Sequence, residues 1–445
     1  MNIKIFFYCL TLFLLTGCYN PSNSYRIQPA ENNLIASLPD IVRLEKAEQA
    51  KLIKQTIDND WQALMQKILE IDPNLASILF NEDNNMTLHY VKSAKMAELL
   101  IKNGASVNSI NIFGATPLHY AHNTDIANVF VENGANVNVS NNGSETPLQI
   151  AAYIHDAPLG LYLLSKGADP KIEDGDGRTA LFYFYATDTN WDAWPHFNGN
   201  KKLVEFHQRL VDGIDVNIKD NKGNTALHLA PTPDIVKLLL EKGAKVNTVN
   251  NDGFTPLHWA NDIDSVQAMV EKGADINAHA CGTTPLHLAV QCHNESSVLY
   301  LLSKGANANA KDSYGRTPLL VFYDNKWGGR LGWPNQGKQG SIYNLLKKLV
   351  EVTNVNITDD EGQTALHLTA KSYDQYFLVS ELIKKGAKVN IQDKKGQTPA
   401  HLATRYGYLH NLEKLVNAGA DLTIKDNQGK TPIDILQEKY PFIIP

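Results

Sequence analysis

Fourteen histidines are the residues in this sequence best suited to metal binding or acid–base catalysis. Seven of them occupy the same place in a recurring six-residue block: His89, His119, His228, His258, His287, His367 and His401. Each of these seven histidines stands in a different copy of the block. If the copies lie in a row, the seven side chains cannot converge on one metal ion. The others, such as His155, His207 and His293, form no H-x-x-x-H pair and no Cys/His cluster. The sequence therefore predicts no metal site and no cofactor.

Side chains for nucleophilic catalysis or phosphate binding are equally sparse. The chain has no G-x-S-x-G motif, no glycine-rich phosphate loop and no catalytic signature around Cys281 or Cys292. These two cysteines could form a disulfide only in an oxidising compartment and with suitable geometry, so their state stays open. A net charge of −6 argues against nucleic-acid binding, which needs clustered Lys and Arg. We expect a protein that is not an enzyme and has neither a small-molecule substrate nor a nucleic-acid partner.

Cys18 is the residue whose sequence context indicates a covalent modification. It follows an apolar run of about eleven residues, which is too short to span ~30 Å of hydrocarbon as a helix. The segment Leu15-Thr16-Gly17-Cys18 resembles the lipobox of bacterial lipoproteins. That resemblance implies a signal peptide over 1–17, acylation of Cys18, and a lipid-anchored flexible tether over 18–40. An ordinary secretory signal or an uncleaved anchor is the alternative.

A block of the form Thr-Pro-Leu-His-x-Ala dominates the rest of the sequence. Full copies begin at Thr116, Thr255 and Thr284, and variants begin at Met86, Thr146, Thr179, Thr225, Thr317, Thr364, Thr398 and Thr431. Successive blocks begin 30, 30, 33, 46, 30, 29, 33, 47, 34 and 33 residues apart. Thr suits the N-cap of a helix and Pro suits its first turn. A second helical pattern follows, as in 234–242, and it ends at a glycine such as Gly243 before a polar turn.

This period and this block resemble the ankyrin-repeat family, whose repeats are about 33 residues long. The resemblance implies an all-α repeat solenoid of about ten units, each a helix-turn-helix joined to the next by a β-hairpin finger. It also implies that the seven block histidines are structural. We expect capping helices and a diverged first repeat in 41–85, the solenoid in 86–430, and a C-terminal cap in 431–445. The solenoid would share one elongated core.

A longer period of 139 residues separates Met86 from Thr225, and Thr225 from Thr364. Both stretches contain two short repeats of about 30 residues, one of 33 and one long repeat, which indicates a duplicated four-repeat cassette. The short repeats lack about three residues after the block, so their first helix is expected to be short. The long repeats carry insertions that contain Trp191, Trp194, Trp327 and Trp333. These tryptophans either form an exposed recognition patch or pack locally over helix ends.

The resemblance to ankyrin repeats implies a non-catalytic scaffold that binds a protein partner. Combined with Cys18, it favours a lipoprotein on a bacterial envelope membrane, with Tyr19 after the cysteine favouring the outer membrane. One alternative is a secreted effector that acts on host proteins. The other is a protective or chaperone-like partner of an envelope enzyme.

Overall fold

The computed structural model describes residues 44–80, 83–186, 200–323, 339–372 and 376–440. The chain divides into two compact units, Met1–Asn221 and Lys222–Pro445. Within the described ranges the regular structure consists of α-helices and short 3₁₀ helices, with no β-strand. The expectation of an all-α repeat fold is confirmed.

Each block of the sequence begins the first helix of a repeat. These first helices are Thr87–Tyr90 and Pro117–Tyr120, both 3₁₀, and the α-helices Pro147–Tyr153, Ala180–Tyr185, Ala226–Leu229, Pro256–Trp259, Pro285–Gln291, Pro318–Val321, Ala365–Ala370, Pro399–Tyr406 and Pro432–Lys439. The second helices are Ala94–Lys102, Thr124–Glu132, Ala157–Ser165, Lys201–Gly213, Pro233–Glu241, Ile263–Glu271, Glu295–Ser303, Gln339–Val352, Tyr376–Lys384 and Leu409–Asn417. The helices Lys46–Asp58 and Gln62–Ile71, followed by the 3₁₀ helix Pro73–Ser77, precede the first block.

The short repeats have a first helix of only four residues, as their spacing predicts. In the repeat that begins at Thr255 this helix is Pro256–Trp259, whereas the next repeat has the seven-residue helix Pro285–Gln291. Asp262 ends the short connection, because its side chain accepts a hydrogen bond from the backbone N–H of Ser265 and caps the second helix. The missing residues therefore shorten the first helix rather than the second.

The core of each unit lies between the helix pairs of successive repeats. The leucine at the third place of the block is buried in both units: Leu88, Leu118, Leu148, Leu181, Leu227, Leu257, Leu286, Leu319 and Leu366. One face of a two-helix repeat cannot be buried by the repeat alone, so each repeat depends on its neighbours. At about 25 cal/mol per Å² of apolar surface, each leucine contributes roughly 2 kcal/mol only while its neighbour is in place.

The connections between repeats differ from the β-hairpins expected from the sequence. They are compact turns, and in the described ranges the only strand-like pairings are the isolated bridges Leu79–Met86 and Ala280–Thr283. In a typical turn, Oδ1 of Asn250 accepts hydrogen bonds from the backbone N–H groups of Asp252 and Phe254. Because this side chain satisfies donors that a partner strand would otherwise take, the turn closes without a β-ladder.

Candidate functional site

Successive turns contact each other through their backbones. The N–H of Asn251 donates to the carbonyl of Lys222 in the preceding turn at 2.9 Å, and the same pairing joins Lys394 to Glu361. Gly223 permits this approach, since a Cβ atom there would lie 2.8 Å from the nitrogen of Asn251. Its φ of 77° also favours glycine. In each unit the turns therefore form a row, with exposed side chains between these contacts.

The block histidines hold each first helix to the following turn. The Nδ1 atom of His119 accepts from the backbone N–H of Thr116 at 3.0 Å, and its Nε2 atom lies 3.1 Å from the carbonyl oxygen of Glu145 in the next repeat. Because a carbonyl only accepts, Nε2 carries the proton and the ring is neutral. The same pair of contacts recurs at His89, His228, His258, His287, His367 and His401.

This arrangement excludes the block histidines from acid–base chemistry near neutral pH. Burial lowers the pKa of His119 to about 4, although the hydrogen bond to the carbonyl of Glu145 acts in the opposite direction and raises it. Protonation of Nδ1 would break the bond from Thr116 and leave two donors facing each other. Gln149 replaces the histidine in one repeat and plays the same part, since its Oε1 accepts from the backbone of Thr146 while its Nε2 donates to the carbonyl of Arg178.

The fifth place of the block determines which side chains lie beside the row of turns. In the first unit it is often tyrosine, and the hydroxyl groups of Tyr90 and Tyr120 bind Asn85, which directly precedes the first block, and Asn111, which begins the next turn. In the second unit the same place is apolar: Leu229, Trp259, Leu288, Val321, Leu368 and Leu402. The exposure of this residue varies: Val321, Leu368 and Leu402 are buried, Leu229 and Leu288 are partly buried, and Trp259 is exposed. Of these six side chains, Trp259 is therefore the one that is largely available to a ligand.

Trp259 is the most exposed of these side chains, with half of its surface accessible. Its ring lies 5.3 Å from that of Phe254, the last residue of the adjacent turn. A half-exposed tryptophan supported by a second ring is typical of binding hot spots. Trp259 is not among the site residues predicted from the sequence, because that prediction rested on the tryptophans of the insertions. The signal was present, since Trp259 stands at the only variable place of a full Thr-Pro-Leu-His-x-Ala block.

The turn at Cys281 is one residue shorter than the others, which explains the 29-residue spacing. Ala280 and Thr283 exchange both backbone hydrogen bonds, and Cys281 and Gly282 between them have φ values of 49° and 78°. This is a two-residue turn with positive φ at both places. Cys281 and Cys292 are exposed free thiols. Although residue Cys292 is exposed as a whole, its thiol group is partly covered, and this partial burial raises the pKa of the thiol, which is therefore not activated for nucleophilic attack.

The site residues predicted from the sequence, Cys18, Trp191, Trp194, Trp327 and Trp333, all lie outside the described residues. Within those residues, no group of three or more His, Cys, Asp or Glu side chains is placed to hold a metal ion. A separate search of the same ranges finds no helix that is both long and apolar enough to cross a membrane.

The fold and the row of turns define a tandem-repeat protein with a surface suited to binding rather than to catalysis. A sequence model of the family described as "Ankyrin repeats (3 copies)" matches residues 85–174, 196–280, 261–321 and 337–426, well over half of the chain. The protein belongs to the ankyrin-repeat family. Members of this family are generally interaction modules rather than enzymes.

Similar segments occur in much larger proteins. The chain is 32% identical over 109 residues to transient receptor potential cation channel subfamily A member 1 of Homo sapiens, covering 24% of this chain and 8% of that protein. It is 51% identical over 45 residues to Rabankyrin-5 of Mus musculus, covering 10% and 4%, and 36% identical over 83 residues to Rabankyrin-5 of Homo sapiens, covering 19% and 6%. The chain thus spans less than a tenth of the length of these relatives, and the likeness is one of repeats.

Proposed function

We propose that the protein is a non-catalytic scaffold that binds a protein partner through its row of turns and the exposed side chain of Trp259 beside them. The observation that carries this proposal is Trp259, which is half exposed and is supported by the ring of Phe254 in the adjacent turn. Exposed apolar side chains elsewhere on this face, such as Tyr314, extend the contact area. An interface of stable complexes buries about 1,600 Å² in total, which several neighbouring repeats can supply.

Site-specific photocrosslinking in the native cells tests this proposal. A photoreactive residue at position 259 should give an adduct of discrete mass. The matched control is position 299, because Leu299 is also an exposed apolar residue but lies on a second helix. The same adducts from both positions, or none from position 259, would contradict the proposal.

The strength of the contact can be measured once the adduct is identified. Trp259→Ala should weaken binding of that partner about 30-fold, since truncating a hot-spot aromatic costs roughly 2 kcal/mol. Leu299→Ala should leave the affinity unchanged. Alanine variants at Trp191, Trp194, Trp327 and Trp333 show in the same assay whether the insertions contribute to binding.

We further propose that the chain is a lipoprotein of a bacterial envelope, anchored through Cys18. Support comes from the segment Leu15-Thr16-Gly17-Cys18 and the short apolar run before it. Metabolic labelling with a fatty-acid analogue should mark the wild-type protein and not Cys18→Ala, while Cys281→Ala, which removes another exposed thiol, should remain labelled. Equal labelling of wild-type and Cys18→Ala would refute the anchor and favour a secreted protein.

A further inference from the structure

A buried chain of polar side chains joins two neighbouring turns of the first unit. Glu145 ends the turn that begins at Asn141, and Asp174 begins the turn that ends at Arg178. The carboxyl groups of Glu145 and Asp174 are buried, with 3% and 8% of these residues exposed. Between them, the hydroxyl oxygen of Tyr183 lies 2.7 Å from Oδ2 of Asp174 and 3.1 Å from Oε1 of Glu145.

The contacts of Asp174 identify it as the ionised member of the pair. Its Oδ1 atom accepts from the backbone N–H groups of Asp176 and Arg178, at 2.9 and 2.8 Å. Its Oδ2 atom accepts from Nε and Nη2 of Arg178, at 3.0 and 2.7 Å. A carboxyl group surrounded by donors on both oxygens has no place for its own proton. The hydroxyl hydrogen of Tyr183 therefore points to Asp174, which is also its nearer neighbour.

Glu145 then faces the hydroxyl oxygen of Tyr183, whose hydrogen is already donated to Asp174. Its Oε2 atom accepts from Nδ2 of Asn141 at 2.9 Å. The orientation of that amide is set, because its Oδ1 atom accepts from the backbone of Gly143 and Glu145. Among the described residues, the hydrogen-bonding neighbour of the Oε1 atom is the oxygen of Tyr183, at 3.1 Å. Two lone pairs at this distance in a buried site repel unless a proton lies between them.

We propose that Glu145 is protonated at neutral pH and donates its proton to the oxygen of Tyr183, so that one bound proton links the two turns. The proton comes from the solvent when the chain folds, and it converts the carboxylate of Glu145 to the acid with no other bond changed. The chain then runs from Glu145 through Tyr183 to the carboxylate of Asp174. Every oxygen in it has a partner.

The surrounding charges favour uptake of this proton. Burial raises the pKa of Glu145, and the nearby charge of Asp174 acts in the same direction, against the hydrogen bond from Asn141 and the charge of Arg178. Asp176 also pairs with Arg178, at 3.0 Å, so a single cation already serves two carboxylates. His119, which binds the main-chain oxygen of Glu145, is neutral and adds no positive charge.

The bound proton makes the link between these turns sensitive to alkaline conditions. Because the pKa of Glu145 is higher in the folded state than its ordinary value of 4.5, this contribution to stability is full below pH 4.5. It is lost as the pH rises through the folded pKa, when an ionised Glu145 faces Asp174 without a proton between them. The block histidines act with the opposite sign, since acid weakens their contacts.

Carbon-13 NMR of the full chain labelled at the glutamate carboxyl carbons tests the proposal. One signal should titrate with a midpoint above neutral pH and should vanish in Glu145→Gln. Glu173→Gln is the matched control, because Glu173 is an exposed carboxylate next to Asp174, and that variant should keep the signal. A signal assigned to Glu145 that titrates below neutral pH overturns the proposal.

Two further variants keep the test decisive if Glu145→Gln does not fold. Tyr183→Phe removes the bridging hydroxyl and should shift the same signal, which assigns it independently. The second cassette has Thr283 and Val321 in place of Glu145 and Tyr183. The double variant Glu145→Thr, Tyr183→Val should therefore fold and should abolish the alkaline increase in hydrogen exchange of the turn at 141–145, after correction for intrinsic rates. An unchanged increase in this variant also overturns the proposal.

Discussion

The two long repeats solve one packing problem with different residues. In the first, Tyr185 is buried and its hydroxyl group lies 2.6 Å from Nε2 of the buried His207. In the second, Tyr323 stands at the equivalent place, but Leu346 replaces the histidine. Within the described part of the chain, the buried hydroxyl oxygen of Tyr323 has no hydrogen-bond partner. The same backbone plan thus carries a satisfied polar pair in one copy and an unsatisfied hydroxyl in the other.

The apolar contact beside this pair differs as well. The first long repeat packs the ring of Phe206 against Gly160, where a Cβ atom would come within 2.1 Å of the ring. In the second, Val298 and Leu345 are buried at the equivalent places. One copy combines a large side chain with none, and the other combines two of intermediate size. Where these helices pack, a large side chain on one helix therefore goes with a small residue on the other, so the two positions have complementary sizes in each copy although their residues differ.

The largest expected effect comes from exchanging one member of that pair. Gly160→Val should destabilise the protein by about 3 kcal/mol or more, because the new side chain would overlap the ring of Phe206. Adding Phe206→Leu, which reproduces the second long repeat, should restore most of the loss. Urea unfolding of the two single variants and the double variant measures the coupling. Additive effects would show that the two positions are independent.

His207 should make the stability of the first long repeat decrease in acid, and the second long repeat, which has no histidine at this place, should lack this contribution. Burial lowers the pKa of His207 from 6.5 to about 4, so the unfolded chain binds a proton more readily between these values. Stability from this group is therefore full above pH 6.5 and is lost as the pH falls towards 4, by about 2 kcal/mol at pH 5.

The variant Tyr185→Phe, His207→Leu isolates this contribution. Hydrogen exchange of the helix Lys201–Gly213 at pH 7.5 and pH 5 should show a smaller loss of protection in the variant than in the wild-type protein. The helix Gln339–Val352 serves as the internal control, since its protection should respond alike in both. An equal loss in the first helix would mean that His207 does not carry the effect.

The smallest expected effects concern the two tyrosine hydroxyl groups. Tyr323→Phe should stabilise the protein by about 1 kcal/mol, because it removes a buried hydroxyl group without a partner. Tyr185→Phe should destabilise it by a similar amount, since it leaves the imidazole of His207 without this bond. Thermal unfolding of both variants gives the two signs directly. Destabilisation by both would show that the hydroxyl of Tyr323 has a favourable contact.

Much of the fold could be predicted from the sequence because the repeated block consists of residues that begin and end helices through contacts with their near neighbours in the chain. The Thr-Pro pair indicates where a first helix begins. The spacing between blocks predicts that the first helix of a short repeat is short, as the four-residue helix Pro256–Trp259 is. The turns were harder to predict. Asn250 closes its turn through side-chain hydrogen bonds, and an alternating polar pattern does not distinguish such a turn from a short hairpin. The candidate binding residue Trp259 was also missed, because its exposure depends on what the next repeat covers.

The sequence by itself determined where the helices of each repeat begin and in what order they follow, because these depend on residues at fixed separations within one block. The structural role of the block histidines was implied by the resemblance to ankyrin repeats. Only the tertiary structure decided that Tyr183 lies between Glu145 and Asp174, that Phe206 fills the space above Gly160, and that Tyr323 lacks the partner of Tyr185. The first two of these pairings join different repeats and the third joins the two helices of one long repeat, and the energies of all three depend on burial and on interatomic distance. Neither quantity exists until neighbouring repeats stack.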